Sequence, residues 1–85
     1  MFATITQPMT HTYPKTINRS QLAVALGFQR SNGSISWNAF YNHLDYELGD
    51  NWMSLFKIHP SQRLFTTIQT ERIIQALDLK PHHFE

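Results

Sequence analysis

The sequence contains no cysteine among its 85 residues, and it has only three glycines and four prolines. The missing thiols exclude disulfide bonds and thiolate metal sites as supports for the fold. No apolar run approaches the roughly 20 residues that cross a bilayer, and the N-terminus lacks the pattern of a signal peptide. We therefore expect a small cytoplasmic protein of one domain that has no membrane partner.

Charge of either sign is also scarce. Seven basic and six acidic residues leave a formal net charge of +1. A strong non-specific nucleic-acid binder usually has a much larger basic excess, because its affinity comes largely from neutralised phosphates. The total charge permits DNA binding without predicting it.

Hydrophobic residues make up 41% of the chain and aromatic residues 13%, which is enough for one compact core. Residues 1–15 are rich in threonine and show no helical period, so we predict an extended or partly disordered arm there. Residues 2–6 alternate like a short edge strand. The folded domain is assigned to residues 16–80, and residues 81–85 are expected to form a fraying C-terminal tail.

The first helix has clear start and stop signals. Asn18 can cap the helix while Gln21 returns the bond to the backbone, which is the capping-box pattern. Leu22 and Leu26 then lie on one face at helical spacing. Gly27 provides the left-handed position that ends such a helix.

A polar stretch, residues 29–34, contains the turn signal Asn32–Gly33 and leads to a second helix that begins near Ser36. The inward stripe of this helix consists of Phe40, Leu44 and Leu48. Its outward positions are Asn38, Asn42, Asp45 and Tyr46. Gly49 is predicted to end it.

Two short strand-like runs, 55–58 and 63–66, flank a polar turn and predict a β-hairpin. Thr66 and Gln69 form another capping-box pair, which opens a final helix that reaches Leu77. The order is helix, turn, helix, hairpin, helix. The predicted fold class is therefore mainly α with a small β-hairpin, in a winged helix-turn-helix arrangement.

The sequence resembles a known family at three places. Asn18–Gly27 is similar to the first helix of MerR-type and excisionase-type domains, and the 36–44 segment is similar to their recognition helix. Arg63–Thr66, followed by Glu71–Ile74, looks like their junction between wing and helix. The resemblance spans roughly residues 16–79. It implies a protein that binds double-stranded DNA, with helix 36–48 in the major groove and the 55–66 wing on the backbone.

The chain departs from this family in two respects. The stretch 28–36 is several residues longer than the tight family turn, and the second helix has no arginine on its outer face. Asparagines stand there instead, and asparagine can read adenine through two hydrogen bonds. The candidate DNA-binding residues are Arg19, Arg30, Trp37, Asn38, Tyr41, Asn42, Lys57 and Arg63.

Each candidate also has an ordinary structural interpretation. Asn38 and Asn42 could be solvated polar residues, Trp37 could belong to the core, and the basic residues could be solvated. The favoured function is a small transcription regulator or an excisionase-like architectural factor of a mobile element, acting as a homodimer or in a cooperative assembly. The alternative is a protein–protein adaptor or inhibitor that reuses the scaffold and binds a protein partner.

The sequence offers little for catalysis or metal binding. Its five histidines have no convincing ligand spacing, and there are no cysteines beside them. Asp45, Glu47 and Asp50 cluster at one helix end without any sign of a pocket. We therefore predict no enzymatic activity, no metal and no cofactor.

Overall fold

The computed structural model describes residues 13–84. The candidate edge strand at 2–6 and most of the predicted arm at 1–15 lie outside the described residues. The described elements are α1 (Arg19–Ala25), α2 (Trp37–Leu48), α3 (Trp52–Leu55), α4 (Thr67–Ala76) and a C-terminal 3-10 helix (Pro81–Phe84). The predicted mainly-α class is confirmed. Within residues 13–84 no helix has the length and apolar character that would span a membrane.

Two capping boxes open α1 and α4, as predicted. The Asn18 side chain accepts from the Gln21 backbone N–H at 2.7 Å, and the Gln21 side chain accepts from the Asn18 N–H at 2.8 Å. At α4, Thr66 and Gln69 exchange the equivalent bonds at 3.1 and 2.9 Å. Gly27, with a φ of 90°, follows α1 in the left-handed region where glycine has no steric penalty. Local sequence signals therefore set these helix ends.

The long turn between α1 and α2 folds back on itself and is closed by one isolated β-bridge. Gln29 and Ile35 form an antiparallel bridge, and the Arg30 N–H donates to the Ser34 carbonyl at 2.7 Å. Gly33 lies at the tip with a φ of 91°. The Asn–Gly turn signal thus coincides with a tight hairpin-like turn between α1 and α2.

The β-hairpin predicted at 55–66 is not present, and the prediction was wrong on this point. The first predicted strand belongs to α3 and the turn after it, so its amides bond locally: the Phe56 N–H to the Trp52 carbonyl at 2.9 Å, and the Ile58 N–H to the Met53 carbonyl at 2.7 Å. These donors are not free for a strand ladder.

The second predicted strand pairs elsewhere. Leu64 forms an isolated antiparallel bridge with Asn18, immediately before α1. Lys57, directly after α3, has a φ of 59° and lies in the left-handed region. Residues 56–66 are therefore a loop, called the 56–66 loop below.

The core is built from buried side chains of α1, α2 and α4, and the short α3 contributes Trp52 to it. Phe40 and Leu44 are fully buried, which confirms the predicted inward stripe of α2, and Leu48 is half-buried. The indole of Trp52 is buried, and its N–H donates to the Asp45 carboxylate at 3.1 Å. The buried cluster consists of Ile17, Leu22, Ala23, Phe40, Leu44, Trp52, Ile58, Phe65, Ile73, Ile74 and Leu79.

The C-terminal segment, which was expected to form a fraying tail, lies against the domain. Its 3-10 helix packs on α1, and the half-buried Phe84 packs against the core. The Lys80 N–H donates to His83 Nδ1 at 2.8 Å, which caps the turn. Burial of the Phe84 ring supplies the hydrophobic free energy that holds the segment. Glu85 lies outside the described residues.

Candidate nucleic-acid interface

Arg19, at the start of α1, joins three parts of the fold. Its Nε donates to the Gln62 carbonyl at 3.1 Å, and its Nη2 donates to the His59 and Pro60 carbonyls at 3.2 and 3.1 Å. Its Nη1 donates to the Tyr41 hydroxyl of α2 at 3.0 Å. The planar fork of arginine suits such a set of acceptors better than a lysine ammonium would.

Gln69 holds the same loop from α4. Its amide nitrogen donates to the Lys57 carbonyl at 2.9 Å, and its amide oxygen accepts from the Gln62 side chain at 2.6 Å. A turn closed by the Gln62 N–H and the His59 carbonyl, 2.9 Å apart, forms the loop tip. The tip at residues 59–62 is therefore fixed between α1 and α4.

A shallow cleft separates this tip from the beginning of α1. Its lining includes Arg19, Ser20, Tyr41, Pro60, Ser61 and Arg63. Arg63 is exposed, and Arg19 is half-buried. In the described chain no acidic side chain lines this cleft.

A second cleft lies at the start of α2. It is lined by Arg30, Ser36, Trp37, Asn38 and Ala39. Ser36 takes the predicted N-cap position, but its side chain makes no capping bond. Its hydroxyl instead accepts from Arg30 Nε at 2.9 Å, which places the guanidinium beside the first turn of α2.

Two aromatic residues connect the clefts. Trp37 stacks on Tyr41 with a centroid distance of 6.0 Å and an interplanar angle of 25°. Trp37 also packs its edge against Phe40, yet 40% of its surface is exposed. Trp37 therefore packs against neighbouring rings and also reaches the surface, and the sequence had suggested each of these positions as an alternative. Together, Arg19, Arg30, Trp37, Tyr41 and Arg63 make up what we call the basic-aromatic strip.

The charges of the strip are not offset by carboxylates. Among residues 13–84 one ion pair forms, between Lys80 and Asp78 at 3.0 Å, and it raises the pKa of Lys80 through the hydrogen bond and the adjacent charge. The partners of Arg19 and Arg30 are neutral oxygens. Fixed positive charge without local neutralisation makes the strip attractive to anions.

The outer face of α2 borders the strip. Asn38, Asn42 and Tyr46 follow one another at four-residue spacing, and all three are exposed, Tyr46 by 85%. Tyr46 was predicted to face outward but was not included among the candidate contacts. The four-residue spacing that relates Tyr46 to Asn42, and Asn42 to Asn38, indicates from the sequence that the three residues share one helix face.

The structure brings seven of the eight candidate residues to this surface. Five form the strip, and Asn38 and Asn42 lie beside it on α2. Lys57 is exposed near the start of the 56–66 loop and lines neither cleft. Sequence reasoning predicted Gln69 as a capping-box residue but missed its bonds to the 56–66 loop and the bond of Gln62 to Arg19, because these contacts depend on tertiary packing.

A more apolar groove lies elsewhere, between the segment at 13–15 and α4. Its lining mixes the basic Lys15 with the acidic Glu71 and Asp78, so it does not present charge of one sign. Within residues 13–84 no group of three or more metal-binding side chains comes together. The basic-aromatic strip with the outer face of α2 is the better candidate site.

Comparison with known proteins adds no family assignment. No protein-family model matches the sequence, and neither a curated protein nor a solved structure shows significant similarity to it. The resemblance to MerR-type and excisionase-type domains stays a prediction.

Proposed function

We propose that the protein binds double-stranded DNA, with α2 entering the major groove and the basic-aromatic strip on the phosphate backbone. One observation carries the proposal: three arginines without carboxylate partners border the exposed outer face of α2. Arg30 and Asn38 line the same cleft, so the strip and the helix face are continuous. This arrangement matches the charge of one DNA strand beside an accessible groove.

The proposed fold is a helix-turn-helix domain of the MerR-like and excisionase-like kind in which a loop replaces the β-wing. The tip at residues 59–62 lies beside α2 because Arg19 bonds both to it and to Tyr41. Arg63 follows this tip and is exposed. In the proposal, Arg63 contacts the phosphates that a hairpin wing would otherwise contact.

Such a domain has few phosphate contacts, so a single copy binds weakly at physiological salt. We therefore propose that it acts as a homodimer or in a cooperative assembly on adjacent sites. The corresponding role is that of a small transcription regulator or an architectural factor of a mobile element, working in the cytoplasm.

A gel shift against a randomised duplex pool tests the proposal. We expect specific duplexes to be enriched, with affinity that falls steeply as salt rises. Arg30→Gln and Arg63→Gln should each make the negative slope of log affinity against log salt shallower by about 1, because each removes one phosphate contact.

Arg72→Gln is the matched control, because Arg72 is exposed on α4 and lines neither cleft. It should leave the slope unchanged. Absence of any retained duplex at low salt would contradict DNA binding.

A second candidate function, a protein–protein adaptor, is favoured by exposed apolar side chains outside the strip. Leu55, Leu64 and Ile68 expose 60%, 56% and 66% of their surfaces. Under this reading, purification yields one stoichiometric protein partner and no nucleic acid. Leu64→Ser combined with Ile68→Ser should then abolish the complex, whereas Arg30→Gln should not.

A further inference from the structure

The outer face of α2 has a chemical bias beyond general DNA affinity. No lysine or arginine occurs between residues 37 and 48. The exposed polar side chains of α2 are those of Asn38, Asn42, Asp45, Tyr46 and Glu47, and the uncharged ones are Asn38, Asn42 and Tyr46. By contrast, Asn18 and Asn32 use their side-chain oxygens within the fold, as acceptors from the backbone of Gln21 and Ser34.

The charge along α2 indicates which end of the helix approaches DNA. Its N-terminal end lies beside Arg30. Its C-terminal half carries Asp45 and Glu47, and Asp50 follows just beyond. DNA phosphates attract the guanidinium beside the N-terminal end of α2 and repel the carboxylates near its C-terminal end. The N-terminal half of α2 therefore enters the groove. That half presents Asn38 and Asn42, whereas Tyr46 lies toward the acidic end.

The two asparagines select a particular base edge. In the major groove adenine presents one acceptor, N7, and one donor, the N6 amino group, which a side-chain amide matches with its own donor and acceptor. Guanine presents two acceptors, N7 and O6, which are best bound by the two donors of an arginine. A face with amides and no cationic side chains therefore favours A·T pairs over G·C pairs.

The spacing of the asparagines gives the register. Residues four apart on a helix are separated by about 6 Å along its axis. Successive phosphates along one DNA strand lie roughly 3.4 Å apart along the duplex axis. We infer that α2 reads an A·T-rich site, in which Asn38 binds one adenine and Asn42 binds another about two base pairs away. This inference rests on the proposed DNA-binding function.

The test replaces adenine by 7-deazaadenine, which lacks the N7 acceptor, in the duplex enriched from the randomised pool. We expect an A·T core in that duplex and a loss of affinity of about tenfold or more at the two positions. Substituting 7-deazaguanine at flanking G·C pairs should have no such effect. A G·C core, or indifference to 7-deazaadenine, would overturn the inference while leaving DNA binding intact. Absence of binding to any duplex at low salt would overturn both.

A specificity change provides a second measurement. Asn42→Arg should shift the preference at one position from adenine to guanine, because arginine supplies two donors. Asn42 is exposed, so the far-UV circular dichroism and the thermal midpoint of the Asn42→Arg variant should match those of the wild-type protein. Gln75→Arg, on the exposed surface of α4, adds the same charge away from α2 and should leave the preference unchanged. An unaltered preference in Asn42→Arg would count against this register.

Discussion

The guanidinium of Arg19 donates to the hydroxyl of Tyr41 at 3.0 Å, and this bond joins the first turn of α1 to the middle of α2. The same guanidinium also lies 5.9 Å from the Tyr41 ring centroid and 5.8 Å from that of Phe65. Its other acceptors are backbone carbonyls of the loop tip at 59–62. One side chain therefore links α1, α2 and the loop.

Replacing Arg19 by methionine should lower the free energy of unfolding by about 2–3 kcal/mol, because three carbonyls and one hydroxyl lose their charged donor. Arg19→Lys should recover little of the loss, since an ammonium cannot reach all four acceptors. Urea unfolding followed by circular dichroism measures the change. Arg72→Met is the control and should stay within about 0.5 kcal/mol of the wild-type protein. Equal urea midpoints for Arg19→Met and Arg72→Met would show that the Arg19 hydrogen bonds do not stabilise the fold.

Tyr41→Phe should cost about 1 kcal/mol of unfolding free energy, because it removes one hydrogen bond and keeps the ring that stacks on Trp37. Combining it with Arg19→Met forms a double-mutant cycle. We expect a coupling energy above about 0.5 kcal/mol, since the two groups are in contact. Additive effects of the two substitutions would show that the bond does not contribute to stability.

Gln69→Leu should destabilise the domain by about 2 kcal/mol, because Gln69 is nearly buried and its replacement leaves the Lys57 carbonyl and the Gln62 amide without this partner. Hydrogen exchange at the Gln62 backbone N–H, which closes the turn at the loop tip, should also become faster because the tip loses one of its hydrogen bonds. Gln75→Leu makes the same chemical change at an exposed position of α4 and should have little effect. Unchanged exchange at Gln62 would argue that Arg19 alone holds the tip.

Phe84→Ala should reduce stability by about 1–2 kcal/mol, which is less than the cost at a fully buried phenylalanine because this ring is only half-buried. Thermal unfolding of the full chain is the measurement. His82→Ala, in the same 3-10 helix but exposed, serves as the reference. If both variants unfold at the wild-type temperature, the C-terminal segment does not stabilise the domain.

The sequence predicted those parts of the fold that depend on local chemistry. Asn18 with Gln21, and Thr66 with Gln69, are pairs three residues apart whose bonds form within one helical turn. The inward stripe of α2 follows from its period. A four-residue helix such as α3 is too short to show a period, and its Leu55–Ile58 surroundings resembled a strand. The hairpin was therefore assigned to 55–66, although Asn32–Gly33 carried the stronger turn signal.

The candidate surface was predictable only in part. Exposure of Asn38 and Asn42 follows from the position of the buried stripe on α2. The basic-aromatic strip does not follow from a local pattern. Arg19 contacts Tyr41, which is 22 positions away in the sequence, and Pro60, which is 41 positions away. Contacts of this length depend on tertiary packing, and a solvated arginine and a clamping arginine look alike in a sequence.

The hydrogen bonds from Arg19 to the loop tip are accepted by main-chain oxygens. Arg19 bonds to the carbonyls of His59, Pro60 and Gln62, and carbonyls are present whatever the side chain. Side chains at positions 60 and 61 can therefore be exchanged without removing these anchors. The tip is accordingly suited to engineering, because its chemistry can be varied while its position relative to α2 stays fixed.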